Sequence, residues 1–194
     1  MTHAIGDAAI DMVISAFEDL KDKTRIREQR HRIEHAELIN EWQIRRAAGM
    51  GIILSMQPNF VGRWQLEGGL YESRFDEEIV RGMNMFRTAL DNGARIAFGS
   101  DGMPYGPLYG IWSATTHPNE RVRISVEEAV RCYTMESAYS SFLERTLGSL
   151  SVGKRADFVV LSKDIMKIPP QQIKDVGIDM TFLGGYAEYI AQGV

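Results

Sequence analysis

Gly51-Ile52-Ile53-Leu54-Ser55-Met56 is a continuous apolar run, closed by Gln57-Pro58. So short a run, without polar alternation, predicts a parallel strand buried on both faces. Upstream, residues 38–48 read as a helix, closed by Gly49 as a left-handed cap. Arg32-Ile33-Glu34-His35 before it is a short extended segment. Further back, Ile10, Val13, Ile14 and Phe17 recur at i, i+3, i+4 and i+7, one face of a helix starting near Asp7. Downstream, residues 76–92 read as one helix with Ile79, Met83, Phe86 and Leu90 inward and Gly93 as the stop. Residues 95–99 form another short strand, ending at Ser100-Asp101. A Gly/Pro-rich stretch, 102–118, is too long for a plain connection and is expected to carry function or to move. Ser125-Val126-Glu127-Glu128 is a capping box that opens a helix reaching about Ser140. Strands alternating with helices predict a parallel α/β architecture.

After about Leu147 the pattern turns to β. Residues 156–161 form an apolar strand, Pro169-Pro170 breaks the chain, and residues 180–189 read as a hairpin around Gly184-Gly185. The expected division is an α/β part over 1–146 and a small β segment over 147–194.

With 44% apolar and 25% charged residues, the 194-residue chain has the balance of a globular protein. Its net charge is -4, and no lysine or arginine cluster is long enough to track a phosphate backbone, so nucleic acid is not expected as a partner. The densest basic stretch, residues 21–32, is interrupted by Asp22 and Glu28 and reads as a solvated face. Cys132 is the only cysteine, which rules out a disulfide framework and a thiolate metal cluster. No apolar run approaches the roughly 18 residues of a membrane span. Neither a basic n-region nor an apolar h-region opens the chain, so a cytoplasmic location is the default expectation.

His3, His35 and Asp101 each fall at the C-terminal end of an expected strand, which in a (β/α)8 barrel is the active face. Imidazole is a good zinc ligand, and a nearby carboxylate can orient or deprotonate bound water. The plainer readings are a structural histidine and an Asp101 that caps the next turn through its side chain. His31 and His35, four apart, would share a face if that segment were helical. His117 reads as a surface or substrate-side residue. Trp64, Tyr105, Tyr109 and Trp112 would either wall an apolar substrate pocket or anchor their loops.

Five segments in order carry a resemblance. They are His-Ala-Ile-Gly-Asp-Ala-Ala (3–9), Arg-Ile-Glu-His-Ala-Glu (32–37), Ser-Met-Gln-Pro (55–58), Phe-Gly-Ser-Asp (98–101) and Leu-Gly-Ser-Leu-Ser-Val-Gly-Lys-Arg-Ala-Asp-Phe-Val-Val-Leu (147–161). Together they resemble the amidohydrolase-3 branch of the amidohydrolase superfamily, over essentially the whole chain. The resemblance implies the C-terminal half of a TIM-type (β/α)8 barrel, followed by a β segment that belongs to a composite β-layer. It implies His3 and His35 as ligands of a divalent metal, zinc by the chemistry of its donors, at the ends of barrel strands 5 and 6. Asp101 becomes the general base on metal-bound water at the end of strand 8. Some relatives place a histidine two residues beyond the proline of Ser-Met-Gln-Pro; Phe60 stands there, so that contact is absent or apolar. The implied reaction is hydrolysis of a C–N bond in a small amide-type substrate, with Trp64, Tyr105 and Trp112 as candidate substrate-binding residues.

The same resemblance leaves gaps. The family site also takes a His-x-His pair from strand 1 and a bridging residue, often a carboxylated lysine, from around strands 3 and 4. No His-x-His occurs here. Only Met1 and Thr2 precede His3, so the expectation is that strand 5 itself is missing and His3 sits on a frayed end. The alternative reading is a non-catalytic remnant or split-gene half that needs a partner chain supplying strands 1–4. Self-association through an exposed sheet edge is a further expectation.

Overall fold

The computed structural model describes residues 1–20, 23–102 and 105–193. Lys21 and Asp22 of the basic stretch, and Met103 and Pro104 of the 102–118 segment, lie outside the described residues. Strands β1 (Thr2–Ala4), β2 (Arg32–His35), β3 (Ile53–Met56) and β4 (Ile96–Phe98) form a parallel four-stranded sheet in chain order. Ile33, Leu54 and Ile96 stand in register across β2, β3 and β4 and are almost wholly buried. Burying such a row is the main favourable term for a sheet of this kind.

His3 therefore does not sit on a frayed end. Parallel pairing sets Thr2 against Ile33, His3 against Glu34 and Ala4 against His35, and Ala4 is buried. Three residues suffice because β2 supplies the hydrogen-bonding edge and α1 (Asp7–Glu18) packs on β1. In α1, Ile10 and Ile14 are fully buried, with Val13 and Phe17 against the same core, as the periodicity predicts. The short α2 (Lys23–Glu28) packs against α1 and α3 (Glu41–Met50).

Both boundaries of the helix expected over 38–48 differ from the sequence reading. Helix α3 begins at Glu41, because the Asn40 side chain accepts from Gln43 N while the Gln43 side chain caps the Asn40 amide. It ends on Gly51, at φ 74°, and Gly49 lies inside the helix. After β3 come α4 (Pro58–Phe60) and a π-helical turn over Val61–Gln65.

Residues 76–92 form two helices, α5 (Glu77–Arg81) and α6 (Phe86–Asp91). Between them Asn84 takes φ 55°, so that its N–H donates to Glu37 O (2.9 Å) and its amide donates to Gln65 Oε1 (2.9 Å). The break turns Ile79, read as inward, out to 42% exposure while Met83 and Phe86 stay buried. The 102–118 stretch holds a helix, α7 (Pro107–Thr115), started by Pro107 in the first turn and burying Ile111 and Ala114.

Helix α8 (Val126–Arg131) opens on the expected Ser125–Glu128 capping box. It runs through a π turn (Cys132–Glu136) into α9 (Ser137–Ser140). Cys132 is buried, and burial pushes its thiol up to about 12.

The tail carries β5 (Phe158–Leu161), β6 (Ile178–Leu183) and β7 (Tyr186–Ile190) as an antiparallel sheet, with the expected turn at Gly184-Gly185. Its 3-10 segment, Pro170–Asp175, packs on α7, and Ile165, Ile173 and Val176 join the main core. Among the described residues, no helix is long and apolar enough to cross a membrane.

Candidate metal and acid-base site

The C-terminal ends of β1, β2 and β4 bring His3, His35 and Asp101 to one end of the sheet. The His3 and His35 rings meet edge to face with centroids 4.5 Å apart, and His35 Nδ1 lies 4.0 Å from Asp101 Oδ2. Their closeness is not what simple alternation predicts. Ala4 pairs with His35, and side chains alternate faces along each strand, so His35 would share the Ile33 face, opposite His3. A left-handed φ of 75° at His35, followed by 53° at Ala36, breaks that alternation. Two successive non-glycine residues in this region cost about 1 kcal/mol or more each and persist only where the surroundings hold them. Asp101 is also left-handed, at φ 52°.

His35 Nδ1 lies 2.8 Å from Gln57 Oε1, while Gln57 Nε2 donates to Ser55 O (3.2 Å). That fixes the amide with its oxygen towards the ring, so Nδ1 carries the proton and Nε2 the lone pair. A metal-ligating histidine needs that arrangement. Asp101 is half-exposed; its Oδ1 accepts from Gly102 N (2.7 Å) and its other oxygen faces His35.

A buried acid adjoins this group. Glu37, two residues past His35 and 4% exposed, accepts a hydrogen bond from the Tyr71 hydroxyl. Burial pushes the Glu37 carboxyl up, partly offset by Tyr71 and by the neighbouring His35 and His3. Burial, together with the Glu37 carboxylate, raises the Tyr71 phenol as well.

Among the aromatics read as pocket residues, Trp64 connects to this end. It packs on Phe60 (4.5 Å), and Phe60 stacks on His35 (6.1 Å between centroids, 11° between planes). The Phe60 contact is thus apolar and present. Tyr105 is 86% exposed. Trp112 packs on Tyr109 (4.9 Å), its ring 5.8 Å from the Lys174 ammonium.

His31 precedes β2, lies against Phe17 and hydrogen-bonds Gln29, so the helical pairing with His35 does not form. His117 is fully buried, contrary to the surface reading. Its Nδ1 accepts from Asn119 N (3.0 Å), its ring meets Phe86 edge-on, and burial lowers it to about 4.

Sequence reasoning missed Gln57, Glu37 and Tyr71. The first two lie inside quoted motifs, but nothing in the sequence ties Tyr71 to Glu37, 34 residues away.

In kind, two imidazoles and a carboxylate suit a borderline divalent cation. Among the described residues, however, no three His, Cys, Asp or Glu side chains are gathered closely enough to hold one alone.

Comparison with known proteins agrees with this architecture. The chain is 34% identical over 203 residues to the YtcJ protein of Bacillus subtilis (strain 168), which carries an amidohydrolase name; the match covers 96% of this chain and 36% of that protein. It is 27% identical over 202 residues to the N-substituted formamide deformylase of Arthrobacter pascens, covering 98% and 36%. The crystal structure of an uncharacterized metal-dependent hydrolase from Pyrococcus furiosus superposes with a TM-score of 0.69 at 32% identity, over 85% of this chain and 33% of that one. The chain thus spans about a third of the length of each of these relatives. The model of the amidohydrolase family matches residues 1–187, and the chain belongs to that family.

Proposed function

We propose that this chain is the C-terminal half of a (β/α)8-barrel amidohydrolase, with residues 1–146 supplying the end of strand 5 through strand 8 and residues 147–194 a β segment. The observation that carries the reading is the meeting of His3, His35 and Asp101 at one end of a parallel sheet, achieved through left-handed backbone at two of the three. His3 and His35 would hold a divalent cation, zinc by the preference of imidazole donors, with further ligands from outside the described residues. Bound there, the cation would acidify a water and polarise a carbonyl.

The chain's own residues do the rest. Gln57 holds the His35 proton at Nδ1 and leaves Nε2 free to ligate. Asp101, half open to solvent, takes a proton from water and returns it to the departing nitrogen of the amide. Trp64, partly exposed and packed on the Phe60 ring that stacks on His35, offers apolar surface near the site, which suits an amide with an apolar N-substituent; an N-substituted formamide belongs to this class. A partner segment supplying strands 1–4 would complete the barrel against the open edges of the four-stranded sheet.

Zinc titration at neutral pH of the barrel completed by a segment supplying strands 1–4, with the wild-type chain and with His35→Ala, tests the ligand assignment. Heat of binding with the wild type that disappears with His35→Ala is expected; identical isotherms would refute the assignment.

A further inference from the structure

We propose that Tyr71 is a positioning residue that holds the His35 imidazole against His3, acting through Glu37 on one side and through Trp64 and Phe60 on the other. The inference builds on the reading of His35 as a working residue of the site.

The need comes from the backbone. With His35 and Ala36 both left-handed, the turn after β2 requires external restraint. Backbone bonds supply part of it: Ala36 N to Ala4 O (3.0 Å), Leu38 N to Ile5 O (3.0 Å), and Asn84 N to Glu37 O (2.9 Å). The Glu37 side chain supplies the remaining anchor. A carboxylate this deeply buried is held only by a hydrogen-bonding partner, and the Tyr71 hydroxyl is that partner.

Tyr71 is itself fixed. Its N–H donates to Trp64 O (3.0 Å). Two residues earlier, the chain passes so near the Trp64 and Leu66 carbonyls that only glycine fits at Gly69. From Tyr71 a run of rings leads back to the same histidine: Trp64 at 6.0 Å, Phe60 at a further 4.5 Å, and His35 at 6.1 Å. The circuit closes on His35 twice, once through its backbone and once through its ring face. A tyrosine serving only to fill space would need the ring and not the hydroxyl.

The test reads the ring nitrogens of 15N-histidine-labelled protein at a pH where imidazole is neutral. The wild type should show His35 protonated at Nδ1. Tyr71→Phe keeps the ring stack and removes the hydroxyl; the His35 nitrogens should move towards mixed tautomers, while His31 and His117 stay in place. Should Tyr71→Phe fail to fold, the double variant Tyr71→Phe/Glu37→Met, which leaves no unpaired buried carboxylate, should give the same His35 shift. Glu37→Gln retains an acceptor for Tyr71 and should preserve the wild-type His35 pattern.

An unchanged His35 in folded Tyr71→Phe, or in the folded double variant, overturns the proposal. So does a general movement of all the histidines, or a Glu37→Gln change as large as that of Tyr71→Phe. Because the readout is ring state and not metal, a failed zinc titration would sink the ligand assignment and leave this inference standing.

Discussion

Asp101 is the residue at which backbone and chemistry can be separated. Its φ of 52° is one that asparagine also tolerates, and its turn bond to Gly102 N survives an amide. Asp101→Asn should therefore fold with an unchanged melting temperature. Amide-hydrolysing activity of the completed barrel should fall by roughly 10²–10⁴-fold, the usual worth of a general base. Turnover equal to wild type on a panel of N-substituted amides would remove Asp101 from the mechanism. Gly110 makes the opposite case, a residue whose role is space alone. A Cβ there would run into the Tyr133 hydroxyl and the Asn59 side chain, which are bonded to each other at 2.7 Å. Gly110→Ala should cost about 1–3 kcal/mol, seen as a lower urea midpoint.

At the scale of elements, periodicity served α1 well, because one helix face meets one core. It failed where tertiary hydrogen bonds compete with the helix, as at Asn84, whose amide leaves the 76–92 run to reach Glu37 and Gln65. It also misplaced the end of α3 by two residues, and glycine substitutions discriminate between the two endings. Gly49 is helical with open space around its Cβ position, so Gly49→Ala should stabilise by about 0.5–1 kcal/mol. Gly51, at φ 74°, has Arg27 Cγ 2.8 Å from that position, and Gly51→Ala should destabilise by about 1 kcal/mol. Paired denaturant melts check both signs; the reverse ordering would restore Gly49 as the cap.

For the molecule as a whole, acid is the informative perturbant. His117 is buried neutral, with its value lowered from 6.5 to about 4, and the nearby Arg123 charge adds to the burial effect. The unfolded chain takes up this proton first. The contribution is present above pH 6.5 and is lost as pH falls towards 4, a total of roughly 3 kcal/mol. Glu144, held down to about 2 by Arg30, acts in a lower window, losing its contribution as pH falls from 4.5 towards 2. Urea midpoints between pH 7.5 and 4.5 should drop in the wild type and stay flatter in His117→Gln; parallel profiles would exclude His117 as the cause.

The sequence by itself determined the alternation of strands and helices, the buried run of β3, the tail hairpin and the placing of His3, His35 and Asp101 at strand ends. All of these are local, written in periodicity and in short motifs. Only the tertiary structure decided that three residues suffice for β1, since a parallel strand exists by virtue of its neighbour. It alone decided that His35 turns to face His3, because that depends on two left-handed residues no propensity favours. It alone joined Tyr71 to Glu37 and sank His117 into the core, since burial and long-range pairing belong to the assembled chain.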